Sequence, residues 1–298
     1  MKKSIIVIIV LVIAGFGVYF ITKNYSNNEV VVAPTTDTTP KTEEVKVDDT
    51  NAPEVVIGKS IESRDITAYR FGTGEKEILF VGGIHGGYSW NTSLVAFELM
   101  DYLKKNPSIV PENIKVTVIP VLNPDGLNKV VGTSGKFEAS DVSEDQKVVV
   151  SGRFNADDVD INRNFDCDWQ ASGKWQNKTV SGGDSAFSEP ESLALKNYVE
   201  KNKPTAVIAW YSAAGGVYAS NCHNGVSTDT SLLTKAFAKA SGYKAYEDFD
   251  YYELTGDMVN WFAKNNIPAI SVLLTNHTDV EWSKNKAGIE AILKYYTK

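Results

Sequence analysis

The chain has 298 residues, of which 43% are hydrophobic and 22% charged, and its 30 basic and 37 acidic residues give a formal net charge of -7. This balance, without any stretch rich in lysine or arginine, excludes the basic surface that a nucleic-acid partner requires. The two cysteines, Cys167 and Cys222, are too few for a disulfide scaffold. They are enough for one bridge in an oxidising compartment, with free buried thiols as the alternative.

Residues 1–22 are predicted to form a transmembrane helix. Residues 4–22 carry no charge and are nearly all apolar, and Lys2 and Lys3 precede them. A helix of that length crosses a hydrocarbon core about 30 Å thick. The basic end should stay in the cytoplasm, which places the rest of the chain on the extracytoplasmic side. A cleaved signal peptide, which would leave the protein secreted, is the alternative; no small-residue cleavage site follows, so the sequence favours an uncleaved single-pass anchor.

Residues 23–53 are predicted to be a flexible linker. They are a mixture of Thr, Asp, Glu, Val and Pro with few apolar positions, a composition that does not support a packed core. The folded domain should therefore span residues 54–298, which is enough chain for one large α/β domain.

Short apolar runs alternate with helical patterns along this domain. The runs predict strands at 78–81, 114–122, 206–211 and 269–274, and all but the second are continuously apolar, as expected of strands covered on both faces. Asn91 is predicted to cap a helix that reaches Lys105, and Ser188 and Glu191 have the spacing of a capping box. Another helix should begin near Thr255, and an apolar stripe marks a last helix. The alternation predicts a single domain with a mostly parallel mixed sheet and helices on both faces.

Ligands of such sheets bind beyond the carboxyl ends of the strands. The segments that directly follow the predicted strands are 82–90, 123–126, 211–216 and 273–277. The sequence therefore predicts that the functional residues are concentrated in these four segments.

The motifs in and between these segments carry a resemblance to a known family. They read GGIHGGYSW at residues 82–90, NPDG at 123–126, DINRNF at 160–165 and FSEPE at 187–191. Their order and spacing resemble the zinc metallocarboxypeptidases of the carboxypeptidase A type, from about residue 66 to the C-terminus. The resemblance implies a zinc ion held by a His, a Glu and a later His, with another Glu as the general base. Three protein ligands leave one metal position open for a water molecule.

The sequence departs from this family at the metal and base positions. His85 is kept, but Tyr88 and Ser89 stand at the two places where the Glu ligand is expected. Tyr211 stands where the later His is expected, and Leu273 stands at the position of the general base. One imidazole does not hold a catalytic zinc, and a leucine exchanges no proton. We therefore expect no bound cofactor and no metallopeptidase turnover.

The resemblance implies that residues binding the substrate are kept. Asn162 and Arg163 match the pair that binds the terminal carboxylate, for which a guanidinium is a suitable two-pronged donor. Arg153 matches the arginine that polarises the scissile carbonyl, and Tyr252 the mobile tyrosine that closes over substrate. Val259 would line the side-chain pocket and favour an apolar terminal residue. A solvated loop arginine and a packing aromatic are the structural alternatives for Arg153 and Tyr252.

Structural interpretations of the other kept residues also stay open. His85, between two pairs of glycines, is equally explained as a turn or core histidine. Arg163 has Asp160 and Asp166 as alternative, purely structural partners.

Three functions remain from the sequence. The first is a membrane-anchored pseudoenzyme that binds the C-termini of peptides, including cell-wall peptides, through Asn162 and Arg163. The second is an active zinc carboxypeptidase with unusual ligands, recruiting His223 or His277. The third is a purely structural domain.

Overall fold

An eight-stranded mixed sheet runs through residues 52–298, the part of the chain that this computed structural model describes. A separate two-stranded sheet accompanies it. In chain order the strands are β1 (Glu54–Lys59), β2 (Asp65–Phe71), β3 (Lys76–Val81), β4 (Ile114–Ile119), β5 (Ser172–Trp175), β6 (Lys178–Ser181), β7 (Ala206–Ser212), β8 (Gly216–Ala219), β9 (Ala245–Tyr246) and β10 (Ala269–Leu274).

The main sheet has the order β1-β2-β4-β3-β7-β10-β8-β9, and β5 pairs with β6 in the small sheet. Its centre is parallel, because β3 pairs in parallel with β4 and β7, and β7 with β10. Antiparallel pairs flank this centre, between β2 and β4 and between β10 and β8. The predicted mostly parallel mixed sheet is confirmed.

Helices cover both faces of the main sheet. They are α1 (Trp90–Lys105), α2 (Pro124–Val131), α3 (Gln146–Ser151), α4 (Pro190–Asn202), α5 (Thr228–Ser241), α6 (Met258–Lys264) and α7 (Trp282–Tyr296). Alternate residues of β3 join two separate cores, since Ile78 and Phe80 pack with α1, α5 and α7, while Leu79 and Val81 pack with α4 and α6. Burying each such side chain contributes about 1.5–3 kcal/mol.

The predicted strands are all present, with small differences at their ends. The run 269–274 matches β10, whereas the run 114–122 is too long because β4 ends at Ile119. Pro120 follows directly, and a proline cannot donate to the ladder of an inner strand.

Two predicted helix caps are wrong. Asn91 lies inside α1, where its side-chain amide donates to the carbonyls of Asn276 and Asp279 instead of capping. The hydroxyl of Ser188 donates to the carboxylate of Glu189, so the Ser188 capping box does not form.

The third predicted helix begins later than expected. It starts at Met258 rather than near Thr255, because the carboxylate of Asp257 caps it by accepting from the backbone N–H of Asn260. The last helix, α7, buries Ile289, with Ile292 and Leu293, as its apolar stripe predicted.

The predicted transmembrane helix and residues 23–51 of the predicted linker lie outside the described residues. Within residues 52–298, none of the helices combines the length and the apolar character needed to cross a bilayer.

Candidate functional site

A cleft of about 810 Å³ opens at the carboxyl ends of β3, β7 and β10. Three of the four segments predicted to hold functional residues reach it, represented by His85, Tyr211 and Leu273. The remaining segment, residues 123–126, does not line the cleft. Its Asp125 instead accepts hydrogen bonds from Ser60 and Arg64, which fastens the loop before β2.

His85 is a buried, neutral histidine at the inner wall of the cleft. Its Nε2 lies 3.5 Å from Oδ1 of Asp160, and its Nδ1 has no hydrogen-bond partner among residues 52–298. Burial, with the nearby charge of Arg153, lowers the pKa of His85 to about 4. The ring is therefore uncharged at neutral pH, which is the form that binds a metal.

Tyr211 occupies the space beside this histidine. Its ring centroid lies 5.7 Å from that of His85, and its hydroxyl donates to Oδ1 of Asn162 over 3.2 Å. Burial raises the pKa of Tyr211 well above its usual value, so the phenol keeps its proton. A protonated, hydrogen-bonded phenol is a poor metal ligand.

Ser89 and Leu273 complete the departures from the family pattern. The hydroxyl of Ser89 is buried with no hydrogen-bond partner in the described part of the chain. Leu273 is buried on β10, opposite Tyr211 in the parallel register. A neutral hydroxyl and an alkyl group thus stand where a carboxylate ligand and a general base are expected.

These residues do not fit a zinc ion. Across residues 52–298, one group of three potential ligands brings its donor atoms within 4.8 Å of one another, and it consists of Cys167, Asp168 and Cys222. Its two cysteines are joined in a disulfide, as one sequence interpretation expected, and so offer no thiolate. Within that range no comparable group contains His85, or either of the proposed substitutes His223 and His277.

The two substitute histidines have other contacts. His223 is exposed, and its Nε2 lies 2.6 Å from a carboxylate oxygen of Asp168. His277 lines the cleft with its ring 4.4 Å from that of Tyr88, and burial lowers its pKa.

Arg153 is buried and lines the cleft, which contradicts the solvated interpretation. Its Nε and Nη2 donate to Oδ2 of Asp160 over 3.0 and 2.8 Å, and its Cζ lies 4.4 Å from the ring centroid of Trp175. Burial by itself would raise the pKa of Asp160, but the charge of Arg153 and the contact with His85 outweigh it and lower that pKa. The carboxylate therefore stays ionised beside the guanidinium.

Asn162 lines the cleft, but its side chain is engaged. Its amide donates to Asp257 over 2.8 Å, and its Oδ1 accepts from Tyr211 and from the backbone N–H of Met258. Burial raises the pKa of Asp257.

Arg163 is fully buried and does not belong to the residues that line the cleft. Its Nε and Nη2 donate to the carbonyl of Lys174 over 3.2 and 2.7 Å, and its Nη1 donates to the carbonyl of Asn162 over 2.7 Å. The structural pairs proposed from the sequence do not form, because Asp160 pairs with Arg153 and Asp166 with Lys264.

Tyr252 contacts Arg163 and lines the cleft. Its ring centroid lies 5.7 Å from Cζ of Arg163, and the ring packs edge-on against Phe249 with the centroids 5.0 Å apart. Tyr252 and Val259 both line the cleft, as their positions in the sequence predicted.

Two contacts of Arg153 in the site were not predicted from the sequence. Asp160 balances Arg153, and its place at the start of the DINRNF motif was the available signal. Trp175, which stacks on Arg153 from the β5–β6 hairpin, carries no motif that would reveal its position.

The fold and the cleft are those of a metallocarboxypeptidase. The chain belongs to the zinc carboxypeptidase family, whose model matches residues 44–290. Among solved structures, the murein-tripeptide amidase MpaA from Escherichia coli O157 has a TM-score of 0.57 and 19% identity over 81% of this chain and 91% of that chain. Carboxypeptidase A from Helicoverpa armigera has a TM-score of 0.62 and 20% identity over 82% and 66%.

Curated proteins show the same relationship at low identity. Gamma-D-glutamyl-L-diamino acid endopeptidase 1 from Lysinibacillus sphaericus is 22% identical over 75% of this chain and 60% of its own length. The catalytic chain of human carboxypeptidase N is 26% identical over 61% and 39%. This chain thus spans less than two thirds of the length of these relatives.

Proposed function

We propose that this member of the zinc carboxypeptidase family binds the carboxylate end of a peptide without hydrolysing it. The observation that carries the proposal is the donor set at the metal and base positions. His85 is a single imidazole, and the hydroxyl of Tyr211 donates a hydrogen bond to Asn162. Leu273 supplies no proton acceptor.

The carboxylate preference rests on Arg163. This guanidinium is fully buried, yet all its hydrogen bonds within residues 52–298 go to neutral carbonyls, and no carboxylate there lies within 4.0 Å of it. A charge-assisted bond to a carboxylate is roughly twice as strong as a bond to a neutral acceptor. A ligand carboxylate that reaches Arg163 therefore replaces weaker partners with a stronger one.

The proposed ligand is a cell-wall peptide, and the proposed location is the extracytoplasmic face of a membrane. A murein-tripeptide amidase and a gamma-D-glutamyl-L-diamino acid endopeptidase are among the similar proteins, which favours this ligand class. The apolar residues 4–22, preceded by Lys2 and Lys3, support the anchor.

Calorimetry tests the binding function. We expect an N-acetylated alanine tripeptide to bind as the free acid and to bind much more weakly as its C-terminal amide. Arg163→Gln should remove this difference, whereas Lys264→Gln, which removes a positive charge from outside the cleft lining, should leave it unchanged. Equal affinity of the wild-type protein for acid and amide would refute the carboxylate preference.

A further inference from the structure

The β5–β6 hairpin, residues 172–181, is joined to the site through Arg163. The carbonyl of Lys174 accepts from both Nε and Nη2 of this arginine. These two nitrogens form one edge of the guanidinium, which is the geometry that a carboxylate uses when it binds in a two-pronged manner. A backbone carbonyl of the chain itself thus occupies a face suited to a ligand carboxylate.

The hairpin has few other polar ties to the body of the domain. It forms a sheet of its own, and its β6 end is fastened by a single bridge between Ser181 and Val159 and by the N–H of Asp160 donating to Ser181. On the β5 side, the buried ring of Trp175 stacks on Arg153 and packs edge-on against Tyr88 and Phe154. The bond between Arg163 and Lys174 is therefore the main polar contact that holds β5 against the site.

We propose that the carbonyl of Lys174 is an internal competitor for the ligand's carboxylate, so that the hairpin is an autoinhibitory latch on Arg163. This inference rests on the proposed function. One edge of a guanidinium cannot bond fully to both acceptors, and the charged acceptor forms the stronger bond. Binding of a peptide carboxylate therefore releases β5 from Arg163, and any change that weakens the latch increases the affinity for the carboxylate.

Gly173 provides a way to open the latch without replacing Arg163. A Cβ atom built on Gly173 would lie 2.7 Å from Cδ of Arg163 and 2.9 Å from Oγ1 of Thr255. Real Cβ atoms essentially never make contacts that short, so in Gly173→Ala either β5 or the side chain of Arg163 must shift, and either shift disturbs the bond between Arg163 and the carbonyl of Lys174. Gly135→Ala is the matched control, because its Cβ would meet no atom closer than 3.7 Å.

The experiment combines hydrogen exchange with calorimetry on the wild-type protein, Gly173→Ala and Gly135→Ala, using the same alanine tripeptide as free acid and as amide. We expect the free acid, and not the amide, to speed amide exchange in residues 172–181 of the wild type. Without any peptide, Gly173→Ala should already exchange fast in these residues. It should bind the free acid about tenfold more tightly than the wild type does, as expected when one competing bond to a charged group is removed. Gly135→Ala should match the wild type in both measurements.

The outcomes separate the latch from the binding function. If the free acid binds the wild type and Gly173→Ala binds it equally or more weakly, the latch is refuted and the binding function stands. If the free acid binds no variant, the binding function fails. Unchanged hairpin exchange in Gly173→Ala, or in the wild type when the free acid binds, also overturns the latch.

Discussion

Replacing Asp160 with asparagine should cost the domain much of its stability. Asp160 is fully buried and accepts from Nε and Nη2 of Arg153, which is itself 2% exposed, and from the backbone N–H of Asn162. The substitution keeps the size of the side chain but leaves a buried guanidinium without its counter-charge. Breaking a buried ion pair in this way costs about 3–5 kcal/mol.

Urea unfolding at pH 7 of the domain without the N-terminal 51 residues measures this effect directly. In thermal unfolding of a domain of this size, a loss of about 3–5 kcal/mol should lower the Tm by roughly 6–20 °C. Asp166→Asn is the matched control, because it removes a carboxylate that pairs with Lys264 on the surface, where both side chains are about half exposed. Such a pair contributes about 0–1 kcal/mol.

The pH dependence provides a second check on Asp160. Its pKa in the folded state lies below the ordinary value of 3.8, so the stability from this pair is complete at neutral pH. That stability is lost as the pH falls below 3.8 toward the folded-state pKa. The gap between wild type and Asp160→Asn should therefore shrink in strong acid. If Asp160→Asn is no less stable at pH 7 than Asp166→Asn, the claim that the buried pair of Asp160 and Arg153 stabilises the domain is refuted.

Other changes test the rest of the account. Burial raises the pKa of Glu191 from 4.5 to about 7. The free energy of unfolding should therefore fall by about 3 kcal/mol as the pH rises through that interval. In Glu191→Gln, the free energy of unfolding measured from pH 4 to 8 should depend less on pH. Breaking the disulfide with Cys222→Ala should lower the unfolding free energy by about 2–5 kcal/mol, since the bridge joins positions 55 residues apart; chemical unfolding with and without reductant checks this value. Ser89→Glu, Tyr211→His and Leu273→Glu together should restore zinc uptake and carboxypeptidase activity, measured by metal analysis and release of the C-terminal residue, whereas any one of them alone should not.

The sheet was predictable because its strands are local apolar runs. The run at 269–274 has every residue buried and became β10 without any shift of its ends. The helix starts were less predictable. Asn91 and Ser188 are good capping residues, but the side chain of Asn91 bonds to the distant Asn276 and that of Ser188 to the neighbouring Glu189.

The candidate site was predictable in its composition and not in its bonding. The motifs placed His85, Tyr211 and Leu273 together at one edge of the sheet, and the cleft contains all three. The partner of Arg163 was not predictable, because the carbonyl of Lys174 reaches it only through the folding of a hairpin. A backbone acceptor leaves no trace in the identity of its residue.

Metal analysis of the purified protein, after incubation with excess zinc and removal of unbound ions, tests the central claim most directly. The donor set around His85 predicts that the protein retains no stoichiometric zinc, while the triple variant with both ligands and the base restored retains one ion per chain. One zinc ion per wild-type chain, lost on His85→Ala, would contradict the claim that this cleft binds without hydrolysing.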